Sequence, residues 1–135
     1  MKLFTLVLGV LLFASCVHVS TNSPSANING TWKGVYKNNK KGEPSEQHFT
    51  FKFKQDGNSL TGTACDTTTK PGEWVELEDI IIKGNTIKFT RKPEPRYRFF
   101  YKGKIEDNKI QLAFNLNVGR HVNVDIGEFT IQREI

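Results

Sequence analysis

The fold is decided by residues 49 to 63, Phe49-Thr50-Phe51-Lys52-Phe53-Lys54-Gln55-Asp56-Gly57-Asn58-Ser59-Leu60-Thr61-Gly62-Thr63. Phe49, Phe51 and Phe53 alternate with Thr50, Lys52 and Lys54, the period-two pattern of a strand with one buried and one wet face. Asp56-Gly57-Asn58 then supplies residues that tolerate the positive φ of a tight hairpin turn, and a new strand begins. The same form returns at Lys83-Gly84-Asn85-Thr86-Ile87 and at Glu106-Asp107-Asn108-Lys109-Ile110. Three hairpins therefore follow one another at a spacing of 23 to 27 residues.

Those hairpins predict strands over 47–55, 59–65, 75–82, 86–91, 96–105 and 109–116. Working outward, a strand over 31–38 precedes them, with Trp32, Gly34 and Tyr36 on one face, and a strand over 122–134 follows. The last strand changes phase, from Val122, Val124 and Ile126 to Phe129, Ile131 and Arg133, so a bulge is expected at Gly127. Ile80-Ile81-Ile82 is apolar on both faces and leaves the phase of its strand open. No segment after Gly30 carries a helical period. Eight antiparallel strands in sequential order are what an all-β, up-and-down (meander) barrel requires.

The order of the strands fixes the two ends. Connections in a meander alternate, so the three tight turns share a closed floor. The links near 39–46, 66–74, 92–95 and 117–121 share an open mouth. Strand one starts at the floor and strand eight finishes there. Trp32 and Arg133 should therefore be neighbours, and pairing of the two strands leaves no open edge.

Ahead of the barrel, Lys2 precedes an apolar run from Leu3 to Phe13. A membrane-spanning helix needs about 20 apolar residues; this run is shorter and reads as an export signal. Ala14-Ser15-Cys16 resembles the bacterial lipobox, which implies acylation of Cys16 and cleavage before it. The expected organisation is a signal peptide over 1–15, an acylated cysteine and flexible tether over 16–29, and a barrel domain over 30–135. Val17 is not the Asp that holds enteric lipoproteins in the inner membrane. The expected location is thus the cell envelope, at the outer membrane if the source is Gram-negative. The lipid is the expected membrane contact, and a monomer is expected.

The formal net charge is +5, or +4 once Lys2 leaves with the signal, too mild to argue for nucleic acid. With Cys16 lipidated, Cys65 has no disulfide partner, and a buried, inert thiol is expected there.

Gly30-Thr31-Trp32 resembles the Gly-x-Trp signature of the lipocalin superfamily, and Arg133 resembles the arginine that packs across that tryptophan. With the Gly-Asn turns and Leu60-Thr61-Gly62-Thr63, the chain is similar to lipocalin-like domains of bacterial exported proteins, calycin-type barrels, here of avidin-like size. The resemblance implies a structural floor of Gly30, Trp32 and Arg133.

Two functions stay open. In one, a membrane-anchored lipocalin-like protein holds a small hydrophobic or amphipathic molecule between the aromatic residues of the interior. Tyr97 and Phe99, nearest the mouth, would then line the ligand, with Trp74 and His121 beside them. In the other, the aromatics fill the barrel, and the mouth loops bind a protein of the envelope as an interaction protein or enzyme inhibitor. Basic residues gather toward the mouth, among them Lys92, Arg91, Arg96 and Arg120, with Glu46, Glu73 and Glu94 between them. They read as a solvated surface or as attraction for an anionic group. Catalysis finds little support, and an enzyme is the third reading. His18 is in the tether, His48 on the outer phase of strand two and His121 on a loop, so no metal site or cofactor is expected. Asp66 and Glu73 are a weak pair of acids across a loop, and no nucleophile elbow or phosphate-cradling loop is present.

Overall fold

The computed structural model describes residues 26–38, 44–67, 72–119 and 123–135. They form β1 (Gly30–Asn38), β2 (Ser45–Asp56), β3 (Ser59–Asp66), β4 (Val75–Lys83), β5 (Thr86–Glu94), β6 (Tyr97–Glu106), β7 (Lys109–Val118) and β8 (Asn123–Arg133). Each strand pairs antiparallel with the next, and β8 returns to β1, so the eight close into an up-and-down barrel. Among the described residues there is no helix.

The alternation that defines the strands also sorts their side chains. Phe49, Phe51 and Phe53 are buried, as are Ile87 and Phe89, Ile110, Leu112 and Phe114. Their rings meet across the lumen: Phe49 lies 4.9 Å from Phe129 and 6.2 Å from Phe114, and Phe51 lies 5.8 Å from Tyr101, centroid to centroid. Offset and edge-on contacts of this kind add about 0.5–1.5 kcal/mol per pair beyond area burial. The middle of the barrel is thus filled by the protein's own rings.

The phase slip falls at Gly127, where Phe114 pairs with Gly127 but Asn115 with Asp125, leaving Ile126 as the extra residue. Gly127 also admits Tyr36, since a Cβ there would stand 2.8 Å from the Tyr36 ring. The Tyr36 hydroxyl donates to the Ile126 carbonyl at 2.9 Å. That contact matters because backbone register between β1 and β8 is confined to three pairs, from Trp32–Arg133 to Gly34–Ile131. The open question over β4 is resolved by Asp79. It adopts φ 52°, a conformation that Asp tolerates better than most residues, and the register shifts there. Ile81 consequently faces solvent, while Ile80 and Ile82 pack against the core.

Three expectations need correction. The link near 92–95 is not a loop: β5 runs on to Glu94, and a two-residue turn, Pro95-Arg96, leads into β6. Pro93 is accommodated because register shifts between Arg91 and Glu94, where a ladder N–H is not required. The tether does not extend to 29, because Ala26 to Asn29 pack under the floor and Ile28 is fully buried. Cys65 is half-buried rather than buried, since it stands on the outer phase of β3 opposite Thr50. The signal peptide, Cys16 and the rest of the tether lie outside the described residues.

Candidate functional site

The two ends of the barrel are built from different materials. At the floor, Trp32 and Arg133 are register partners, and the guanidinium lies 4.6 Å from the indole centroid. The indole N–H donates to the Ile28 carbonyl at 2.9 Å, and Arg133 donates to the carbonyls of Asn27 and Asn29. The three tight turns do share this end. Gln55 N–H, beside the first turn, reaches Asn29 Oδ1; Ile105 N–H and Ala26 N–H reach the Asn85 and Gly84 carbonyls of the second; Arg133 N–H reaches the Asn108 carbonyl of the third. Gly30 belongs to the same closure, with Arg133 carbons 3.8 and 3.9 Å from where its Cβ would stand. Backbone carbonyls, an indole and one apolar plug make a permanent seal.

Toward the mouth, the interior carries a charge pair. Arg91 and Asp66 are 1% and 3% exposed and form a salt bridge through Arg91 Nη1 and Asp66 Oδ2. Arg91 Nε donates to the Tyr101 hydroxyl at 3.1 Å. The guanidinium carbon lies 4.6 Å from the Phe99 centroid and 5.3 Å from that of Phe49. Burial pushes the Tyr101 phenol up to about 12, an effect that Arg91 only partly offsets. The remaining nitrogen, Nη2, is buried and has no hydrogen-bond partner among the described residues. An unsatisfied buried donor costs about 1–3 kcal/mol.

Arg91 therefore does not sit with the surface cations of the mouth, where the sequence reading put it. The strand pattern contained the signal. Ile87, Phe89 and Arg91 share one phase of β5, and Ala64 and Asp66 share one phase of β3, so both charged residues continue an inward face. Their pairing was not readable, because β4 lies between the two strands in the sheet.

The other sequence-derived candidates divide. Phe99 is half-buried over Arg91, and Tyr97 is half-buried one step nearer the mouth. Trp74 is elsewhere: it is 44% exposed and stacks with Lys52 at 4.4 Å, and Lys52 lies on the outer phase of β2. His121 lies outside the described residues. His48 is exposed and reaches Glu46 at 3.5 Å, and among the described residues no group of His, Cys, Asp and Glu could hold a metal ion. A separate concavity of about 680 Å³ lies on the outside of β4 to β8, with Ile81 and Phe100 exposed in it.

Fold and site together define an all-β, up-and-down barrel, compatible with a calycin-like fold, with a buried ion pair toward its loop-bearing end. No protein-family model matches the chain, nor does any curated protein or solved structure.

Proposed function

We propose that this protein is a lipocalin-like binding module, anchored to the cell envelope through lipid on Cys16. It grips the polar end of a small amphipathic molecule toward the mouth of its barrel. The observation that carries this reading is Arg91, a buried guanidinium with one nitrogen lacking a partner among the described residues. Pairs of this kind seldom stabilise a fold: replacing both partners by packed apolar side chains is often neutral or favourable by about 1–4 kcal/mol. A barrel already lined with phenylalanines could fill that layer with two more apolar residues. Retaining a cation, an anion and a free donor there suits recognition better than packing.

The filled middle limits the ligand to the upper layer, where Phe99 and Tyr97 are half-buried. The chain enters at the floor through Ala26 to Asn29, so the mouth would face away from the anchoring bilayer. Binding without turnover is the reading, since Tyr101 is held as a neutral phenol and, among the described residues, no activated nucleophile adjoins the pair. Native mass spectrometry of the protein purified without detergent tests it. A small molecule retained, or taken up from an envelope extract, is expected; a bare mass under both conditions would count against it. Acylation is tested separately by Cys16→Ala, which should leave the precursor without lipid.

A second reading rests on the outer concavity, where Ile81 and Phe100 are 49% and 39% exposed. Here the barrel is only a scaffold, and an envelope protein is the partner. Phe100→Glu should abolish that association while leaving small-molecule retention intact.

A further inference from the structure

Lys83, Lys88, Lys102 and Lys104 stand together on the outer phase of β4, β5 and β6. Lys88 is the register partner of Lys102 on one side and of Ile81 on the other; in the next row Lys83 and Lys104 flank Thr86. Neighbouring strands lie about 4.8 Å apart, and like charges set directly opposite one another destabilise a sheet. Elsewhere on the barrel Lys33, Lys37 and Lys92 each reach a glutamate, at 2.6, 3.9 and 3.1 Å. Among the described residues none of the four lysines has such a partner. Ile81, Lys83, Thr86, Lys88 and Lys102 line a concavity of about 300 Å³ without a carboxylate among them. The acids of this wall, Asp79, Asp125 and Glu128, line the larger concavity toward the mouth, which Lys88 and Lys102 share.

Resting on the reading of lipid on Cys16, we propose that this patch docks the barrel on the anionic phosphate headgroups of the bilayer that holds the anchor. Its place in the fold favours a membrane over a soluble acidic protein. Lys83 and Thr86 flank the Gly84-Asn85 turn of the floor, and the Gly84 carbonyl accepts from Ala26 N–H at 3.4 Å. The chain therefore enters the domain beside the patch. Ala26 follows Cys16 by ten residues, which span at most about 35 Å. Each lysine brought near an anionic leaflet adds to the attraction, and that attraction fades within about 8 Å at physiological salt. Lysines beside the tether are thus the ones that can use it. Phosphates seated between Lys88 and Lys102 also relieve the repulsion across that register pair. Ile81, 49% exposed beside them, adds an apolar contact at headgroup level.

The test mixes the full chain carrying Cys16→Ala, which has no lipid, with two kinds of vesicle. One is phosphatidylcholine alone; the other holds equal parts of phosphatidylcholine and phosphatidylglycerol. The readout is the rate of lysine acetylation, mapped residue by residue by mass spectrometry. On the anionic vesicles Lys88 and Lys102 should react about tenfold more slowly than on the neutral ones, and added salt should remove the difference. Lys54, on the outer phase of β2 across the barrel, should react alike on both. The apolar run from Leu3 to Phe13 is present in both arms and cannot shield one wall alone. Lys88→Glu combined with Lys102→Glu should abolish the shielding of Lys83 and Lys104. Equal acetylation of Lys88 and Lys102 on the two vesicles would overturn the inference and leave the patch to a soluble acidic partner. Shielding of Lys54 as strong as theirs would overturn it too. The two-vesicle comparison decides even if the lysine variant does not fold. Failure here with Cys16 acylated in cells ends the docking alone, whereas a wild-type precursor without lipid ends the anchor, whatever the vesicles show.

Discussion

Two arginines lie over aromatic rings at opposite ends of this barrel, and the contrast between them separates architecture from function. Arg133 covers Trp32 from a half-buried position and gives its terminal nitrogens to backbone carbonyls of the segment beneath it. Arg91 is enclosed, pairs with a buried carboxylate and keeps one terminal nitrogen free of partners among the described residues. The first arrangement is a half-buried cation on an indole, with Nε also buried and unpartnered among the described residues but with no buried anion beside it there. The second keeps two charges away from water, a cost that attraction between them offsets only in part. The floor is therefore a closure, and the pair nearer the mouth is the site to which the proposed binding is assigned.

The largest effect should come from breaking the pair on one side. Arg91→Met removes the buried salt-bridge partner of Asp66 and should cost about 3–5 kcal/mol in urea denaturation. Arg91→Met combined with Asp66→Leu should recover to within about 1 kcal/mol of the wild type or exceed it. A double variant as unstable as the single one would make the pair structural and erase the contrast.

Next comes the floor plug. Ile28 is completely buried, so Ile28→Ala should cost about 2–4 kcal/mol. An unchanged melting profile would mean that the floor does not depend on the segment before β1.

A third effect is a pH slope at the mouth end. The folded Tyr101 phenol keeps its proton up to about 12, against 10.0 for the free side chain. The unfolded chain therefore releases this proton first. Stability from this group is complete below pH 10 and is lost as pH rises to 12, by about 1.4 kcal/mol per pH unit. Tyr101→Phe should flatten that slope, and an identical slope in the variant would contradict the burial argument.

The smallest effect belongs to the floor arginine. Arg133→Met removes the cation over Trp32 and should cost about 1 kcal/mol, with ligand retention unaltered. Loss of ligand in this variant would move the site to the wrong end.

Much of the fold was readable because the same two signals repeat: alternation along each strand and Asn-containing turns between them. Even the bulge at Gly127 showed as a change of phase between Ile126 and Phe129. Three features escaped for physical reasons. Ile28 stands alone among Ser, Asn and Pro, so no period marks it as buried. Pro93 and Pro95 read as a loop, whereas a register shift lets β5 continue through the first of them. Arg91 and Asp66 lie near strand ends, where charge ordinarily means solvent, although the phase of both strands turned them inward. Of the candidate site, Phe99 was placed beside the pair, while Trp74 was displaced to the outer wall by its stacking on Lys52.

The most direct test of the account compares ligand retention in the wild-type protein with that in the Arg91→Met, Asp66→Leu double variant. Both would be purified without detergent and weighed by native mass spectrometry. The account predicts a bound small molecule on the wild type and none on the double variant, at similar folding stability. Equal occupancy of the two would contradict it.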